Sequence, residues 1–207
     1  MSKWIRRGTL PAVCVVAMAT AGCGDYVRQG KGPSQATVAI LAAAPGAEPD
    51  KFGGTLLSDV ITLVKKTVNG AEVRVPTVFN DLGRVTMTAE MKDPSVTTPT
   101  AINAITFNRY RVTYMRADGR NTPGVDVPYG FDSAVTFTVT PGGTATSSFE
   151  LVRHVAKEEA PLVSLAANDD LVTTIAQVTF YGKDHAGNDV SASGSIGITF
   201  GNFGDPD

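Results

Sequence analysis

The chain has 207 residues, of which 43% are hydrophobic, a formal net charge of −2 and only two cysteines. This length and apolar fraction suffice for one sizeable domain or two small ones, which excludes wholesale disorder. The near-neutral charge excludes a general nucleic-acid binder, because such proteins carry a clustered basic surface.

The start of the chain has the layout of a secretory signal peptide. Lys3, Arg6 and Arg7 form a positively charged start, and the stretch 10–21 is apolar or small. That stretch is too short to span a bilayer as a stable anchor, and it ends in the small residues that a signal peptidase accepts. We therefore expect residues 1–22 to be removed.

Cys23 follows directly on this segment. The sequence Ala21-Gly22-Cys23 resembles a bacterial lipobox, with Thr20 at the position where a Leu is usual. In lipoproteins with this motif the cysteine receives a diacylglyceryl group and becomes the new N-terminus. The resemblance implies a lipid-anchored protein of the bacterial cell envelope, on its periplasmic or surface side, with the membrane as a partner. The plainer alternative is a secretory signal that ends near a cysteine by coincidence.

The count of cysteines agrees with lipidation. Cys14 lies inside the segment 1–22 and leaves with it, so Cys23 has no disulfide partner within the processed chain. Lipidation explains a lone cysteine in an oxidising compartment better than a free thiol does. Removal of the segment leaves 15 basic and 20 acidic residues, so the processed protein has a mildly acidic surface.

Residues 23–35 are predicted to comprise the lipidated cysteine and a flexible tether. The stretch 24–35 holds three Gly and one Pro among scattered polar residues, without periodicity. A stretch of this composition behaves as a flexible coil and would space a folded domain from the membrane.

From residue 36 onward the hydrophobic pattern has a period of two, which predicts β-strands. Apolar and polar residues alternate most clearly in the segments 85–92, 109–114, 135–140, 176–181 and 190–200. Turn signals stand between strands at Asn69-Gly70, Asp118-Gly119, Pro141-Gly142 and Gly187-Asn188. One short helical stretch is expected at 155–160. Because helices do not alternate with the strands, we expect an antiparallel sandwich or barrel and no doubly wound parallel sheet.

The segment 175–200 reads as a strand, the turn Asp184-His185-Ala186-Gly187-Asn188 and a last strand. It resembles the final strand pair of bacterial immunoglobulin-like domains. The resemblance implies an all-β, antiparallel immunoglobulin-like β-sandwich, which we place at 104–204. The Pro- and Thr-rich stretch 92–100 is a loop or linker. The strands at 36–92 are marginal for an independent fold, so we expect them to pack on the sandwich or to join it.

Motifs for catalysis are missing from the sequence, so we predict a protein that is not an enzyme and has no metal or cofactor. His154 and His185, the only histidines, have no zinc-type spacing. The patterns HExxH, GxSxG, GxGxxG and GxxxxGK[ST] do not occur. The stretch 149–155, which contains His154, reads as a strand, and His185 falls at a hairpin tip.

Two loop clusters are candidate binding sites. Asp118 and Asn121 lie in the Gly-rich stretch 118–126, whose oxygens could hold Ca²⁺. A turn satisfied by its own Asp and Asn side chains is the plainer interpretation, because the EF-hand spacing does not occur. Tyr129 and Phe131 could stack on a sugar ring, although such a pair more often closes the end of a sandwich core.

These observations predict a membrane-anchored envelope lipoprotein that binds or scaffolds an envelope protein or a glycan. The alternatives are a carbohydrate-binding or adhesive surface module and a calcium-stabilised structural module. Loops at one end of the sandwich, or pairing at a sheet edge, would make the contact.

Overall fold

The structure is a computed structural model, and it describes residues 32–204. The predicted signal segment 1–22, Cys23 and most of the tether lie outside the described residues. The strands are β1 (Ser34–Ala44), β2 (Thr55–Asp59), β3 (Thr62–Val68), β4 (Ala71–Thr77), β5 (Asp81–Met91), β6 (Ile105–Met115), β7 (Phe131–Val139), β8 (Thr144–Val152), β9 (Val172–Asp184) and β10 (Asp189–Gly201). A short helix, α1 (His154–Glu158), and two 3₁₀ segments, Ala101–Asn103 and Leu162–Ala167, complete the fold. None of the described helices is long and apolar enough to cross a membrane.

Two sheets pack as a sandwich-like all-β fold, as the period-two pattern predicts. The smaller sheet has the order β1-β5-β8, the larger has the order β2-β10-β9-β6-β7, and β3 and β4 form a separate hairpin. All neighbouring strands are antiparallel except β2 and β10, which run parallel with Leu56 opposite Ile198. Local alternation cannot reveal this parallel pair, because it identifies strand faces and not partners.

Strands from the two halves of the chain are interleaved. In the smaller sheet β1 pairs with β5 and β5 pairs with β8, while in the larger sheet β2 pairs with β10. The segments on either side of 92–100 therefore share one core. Strand β1 begins at Ser34, so the last two residues assigned to the tether lie in a strand.

The core lies between the two sheets and is filled by alternate side chains of the strands in those sheets. In β5, Val85 and Met87 are fully buried, as their alternation with polar residues requires. Aromatic rings meet across the sandwich: the Phe149 ring of the smaller sheet lies 5.0 Å from the Tyr110 ring and 5.2 Å from the Phe180 ring of the larger. Edge-to-face rings at these distances add to the stabilisation that burial provides.

The sandwich has two ends, which we call the Ser34 end and the Asp81 end. At the Ser34 end, the Ser34 hydroxyl donates to the carbonyl of Asn103 at 2.7 Å, and the N–H of His185 donates to the carbonyl of Ala104. At the Asp81 end, β2 ends, β5 begins and α1 packs. Because β3 and β4 connect β2 to β5, their hairpin leaves the sandwich at the Asp81 end.

The turn between β9 and β10 takes the form that its sequence predicts. The Asp184 carboxylate accepts hydrogen bonds of 2.8 Å from both the backbone N–H and the side-chain amide of Asn188. Gly187 has a φ of +92°, a conformation that other residues resist. Asn188 therefore acts as a side-chain partner of Asp184, and the left-handed position belongs to Gly187.

Candidate functional site

The β3–β4 hairpin stands apart from both sheets. Its strands pair with each other and with no other strand of the described residues. They are joined by Asn69-Gly70, whose φ angles are +52° and +82°. Two positive φ angles define a type I′ turn, whose twist matches that of the flanking strands. The Asn-Gly pair therefore specifies a tight hairpin.

The hairpin has a mainly apolar face and a polar face. The mainly apolar face carries three cross-strand pairs: Val64 with Val75, Lys66 with Val73, and Val68 with Ala71. The polar face carries the other three: Leu63 with Pro76, Lys65 with Arg74, and Thr67 with Glu72. The side chains of Val68 and Val73 are 49% and 40% exposed. The hairpin therefore presents apolar side chains to solvent on two strands that neither sheet supports, an arrangement that is marginally stable in water.

The two edges of the hairpin differ in charge. Strand β3 carries Lys65 and Lys66, which take part in no salt bridge of the described residues. Lysines on an exposed strand commonly discourage pairing with another strand. Strand β4 instead carries Glu72 and Arg74, two residues apart and of opposite sign. The β4 edge therefore lacks the protection by like charges that β3 has.

A buried ionic cluster lies at the Asp81 end, near the base of the hairpin. The Nζ atom of Lys157, in α1, is 2.9 Å from Oδ2 of Asp81 and 2.9 Å from the carbonyl oxygen of Asp59. Asp81 also accepts hydrogen bonds from the Ser58 hydroxyl at 2.6 Å and from the N–H of Gly46 at 2.9 Å. These contacts fasten α1 to β2 and β5.

Electrostatics support a structural role for this cluster. Burial raises the pKa of the Asp81 carboxyl, and the Lys157 ammonium together with the Ser58 and Gly46 donors acts in the opposite direction. A cavity of about 240 Å³ lies close by, and its lining includes Leu57, Asp59 and Phe203. The Asp59 carboxylate in this lining accepts hydrogen bonds from the Thr62 hydroxyl and the Phe203 N–H.

Asp118 and Asn121 are engaged within their own loop. The Asp118 carboxylate binds the guanidinium groups of Arg116 at 2.7 Å and Arg120 at 2.9 Å, and the Asn121 side-chain oxygen accepts the N–H of Arg116 at 2.6 Å. Hydrogen bonding to Arg116 lowers the pKa of Asp118 well below its ordinary range. Two guanidinium groups repel a cation, so the geometry favours a self-satisfied turn over a calcium site.

The part of the chain that the structure describes holds no group of three or more His, Cys, Asp or Glu side chains placed to bind a metal ion. The histidines lie at opposite ends of the sandwich. His154 begins α1 and contacts the Asn80 side-chain oxygen through its Nδ1 at 2.9 Å, while His185 lies 3.2 Å from the Thr106 hydroxyl. The strand expected at 149–155 ends earlier than predicted, at Val152, and His154 lies in α1 instead.

The structure separates Tyr129 from Phe131. Phe131 is 8% exposed, lies edge-to-face against Tyr110 at 6.1 Å and carries the Arg153 guanidinium over its ring at 4.4 Å. Tyr129 is 55% exposed and packs beside Gly124, whose φ is +77°. The two rings therefore form no shared stacking platform, and only Tyr129 is accessible to a ligand.

The hairpin was not predicted as a surface from the sequence, although the pattern marks its turn at Asn69-Gly70. The sequence feature that could have identified it is the segment 62–77. Its valines lie on one face of the hairpin, while the basic residues Lys65, Lys66 and Arg74 are distributed over both faces. That pattern differs from the clean alternation of the core strands.

Comparison of the chain with protein-family models, with curated proteins and with solved structures gives no significant match in any of the three.

Proposed function

We propose that this protein is a membrane-anchored lipoprotein of the bacterial envelope whose sandwich is a non-catalytic binding or scaffolding module. The β3–β4 hairpin is its contact arm. The observation that carries this proposal is the exposed, valine-bearing face of a hairpin that pairs with neither sheet. A surface of this kind is what a docking element presents.

The positions of the two ends of the sandwich support this role. The N-terminal segment enters the body at Ser34, and the hairpin leaves it at the Asp81 end. The 11 residues of β1 span roughly 36 Å, and residues 23–33 reach about 37 Å when fully extended. A lipid on Cys23 would hold the Ser34 end toward the membrane, so the hairpin would face away from it toward a partner.

Replacement of the lipidation site tests the anchor. In the Cys23→Ser variant the protein should leave the membrane fraction, because diacylglyceryl and amide-linked chains together give the stable anchoring that one chain cannot. The Cys14→Ser variant is the matched control and should stay in the membrane fraction. Membrane retention of the Cys23→Ser variant, or an unacylated N-terminus in mass spectrometry of the wild-type protein, contradicts the anchor.

Site-specific cross-linking tests the contact arm. A photo-activated amino acid at position 73, on the apolar face, should give a cross-linked product in intact cells. The same group in place of Val125, which is 67% exposed in a loop, is the control and should give none. Equal products at both positions would contradict a role for the hairpin.

Carbohydrate binding is the second candidate function, and the exposure of Tyr129 favours it. An accessible aromatic ring in a loop can stack on a sugar. Binding on a glycan array that disappears in the Tyr129→Ala variant would support this candidate. An array without binding by the wild-type protein would remove it.

A further inference from the structure

We propose that the outer edge of β4 is a self-association site, through which two copies of this chain pair as antiparallel strands over residues 71–75. This inference rests on the contact role proposed for the hairpin and names its partner. It does not depend on the lipid anchor.

The first observation is that β4 has an unpaired edge. Strand β4 pairs with β3 on one side and with no described strand on the other. In a type I′ hairpin the first residue after the turn, Ala71, bonds back to the facing strand, and hydrogen-bonding direction then alternates. The backbone N–H and C=O groups of Val73 and Val75 therefore point toward β3. Those of Glu72 and Arg74 point away from β3 and are available to another strand.

The second observation is that this edge is self-complementary. When two copies of β4 run antiparallel about Val73, Glu72 lies opposite the partner's Arg74, and Arg74 lies opposite the partner's Glu72. These are the outward-facing residues, so the same pairs exchange backbone hydrogen bonds and join opposite charges. The interface is isologous, as a two-fold symmetric dimer requires.

The apolar face adds a reason for association. Residues directly opposite each other point to the same face of a sheet, so Val73 meets the partner's Val73, and Ala71 meets the partner's Val75. The valine-bearing faces of two hairpins then become one surface on four strands. A four-stranded sheet with an apolar face is more stable than a lone hairpin, because each exposed valine gains neighbours.

The remaining features of the hairpin direct pairing to β4. Self-pairing through β3 would bring Lys65 and Lys66 near their own copies, and like charges on facing strands are destabilising. In the β4 pair those lysines lie on the outer strands, three strand spacings or about 14 Å apart, beyond the Debye length at physiological salt. Pro76, which has no N–H, falls opposite the partner's Gly70 and ends the pairing there.

Charge reversal tests the register with the purified full chain. Glu72→Arg puts Arg opposite Arg, and Arg74→Glu puts Glu opposite Glu, so each variant alone should dimerise about tenfold more weakly in sedimentation velocity. An equimolar mixture of the two variants restores opposite charges and should recover the dimer. The double variant E72R/R74E should also self-associate like the wild-type protein. A mixture that stays as monomeric as its components overturns the proposal.

Disulfide trapping tests the same contact by an independent route. In the proposed register Val73 and its copy form a non-hydrogen-bonded pair with a Cα separation of about 4.5 Å, which suits a disulfide. The Val73→Cys variant should therefore oxidise to a dimer. The Val68→Cys variant is the matched control, because its side chain is similarly exposed but lies on the outer strand. Equal rates for the two variants would reflect random collision and would overturn the proposal.

The outcomes separate this inference from the proposed function. A photo-cross-linked product at position 73 with twice the mass of the chain supports self-association. A product of another mass retains the contact arm and removes the dimer. If no product forms at position 73, both proposals fail.

Discussion

The Lys157 ammonium and the Asp81 carboxylate form an ion pair of 2.9 Å in which both side chains are only 1% exposed. Lys157 belongs to α1 and Asp81 opens β5, so the pair fastens the short helix to the strand that follows the hairpin. Removal of one partner from a buried pair leaves an uncompensated charge, whereas removal of both does not. The contribution of the pair can therefore be measured by comparing the stability of a single variant with that of the double variant.

We expect Lys157→Met to lower the free energy of unfolding by about 3–5 kcal/mol, because the Asp81 carboxylate then stays buried without its counter-ion. Urea denaturation of the purified protein measures the change. The control is the double variant D81N/K157M, which buries no charge and should be more stable than Lys157→Met alone. A double variant less stable than the single one would contradict the charge argument.

The Asp184 turn should make stability depend on pH in the acid range. Burial acts to raise the pKa of Asp184, but hydrogen bonds from Asn188, Ala186 and Gly187 outweigh it, so the pKa in the folded state is lowered. The carboxylate therefore stabilises the fold above about pH 4 and loses this contribution as the pH falls through the folded-state pKa. The melting temperatures of Asp184→Asn and the wild-type protein should differ at pH 7 and converge at low pH. A gap that persists at low pH would show that the carboxylate charge is unimportant.

Gly83 lies directly opposite Phe149 in the β5–β8 pair, and the Phe149 ring covers the place of a Cβ at Gly83. We expect Gly83→Ala to cost about 1–3 kcal/mol, because the ring has to move within a packed core. The penalty should shrink in a Phe149→Leu background. Gly54→Ala is the control and should change stability little, since no atom from beyond its chain neighbours lies within 4 Å of the place that a Cβ would take there. Equal penalties in both backgrounds would contradict the steric explanation.

The turn at Gly70 should affect the hairpin without affecting the sandwich. Gly70 has a φ of +82°, so Gly70→Ala strains the type I′ turn. Hydrogen exchange should become faster at the backbone amides of 62–77, and the global melting temperature should change little because the hairpin pairs with neither sheet. The dimer proposed above should weaken as well. A large loss of global stability would mean that the hairpin is part of the cooperative core.

Sequence patterning identified the strand faces but not the strand partners. Val85, Met87 and Ala89 alternate with polar residues and are buried as that alternation predicts. Nothing local to β2 or β10 encodes their parallel pairing, because the partner is selected by packing of the whole chain. The sandwich-like fold was therefore predictable from the sequence, but the order of the strands within its sheets was not.

For the candidate sites, too, contacts within one loop could be predicted from the sequence, whereas contacts with distant elements could not. Asp118 and Asn121 were recognisable as turn residues, since their side chains bond to their own loop. Phe131 is buried, as in the core-closing interpretation that the sequence favours for such a pair, whereas Lys157 was not assignable, because a lysine in a short helix is usually a surface residue. Their burial depends on elements distant in the sequence: Tyr110 in β6 for Phe131, and Asp81 in β5 for Lys157.

The parallel pairing of β2 with β10 sets the order of events during biosynthesis. Strand β2 leaves the ribosome well before β10, and seven described strands, β3 to β9, are made between them. The larger sheet therefore cannot close until β10 has been made, and a chain truncated before Asp189 would leave the buried side chain of Leu56 without its cover. Pairing of β2 with β10 is therefore a late step of folding, because segments distant in the sequence pair more slowly than neighbouring ones.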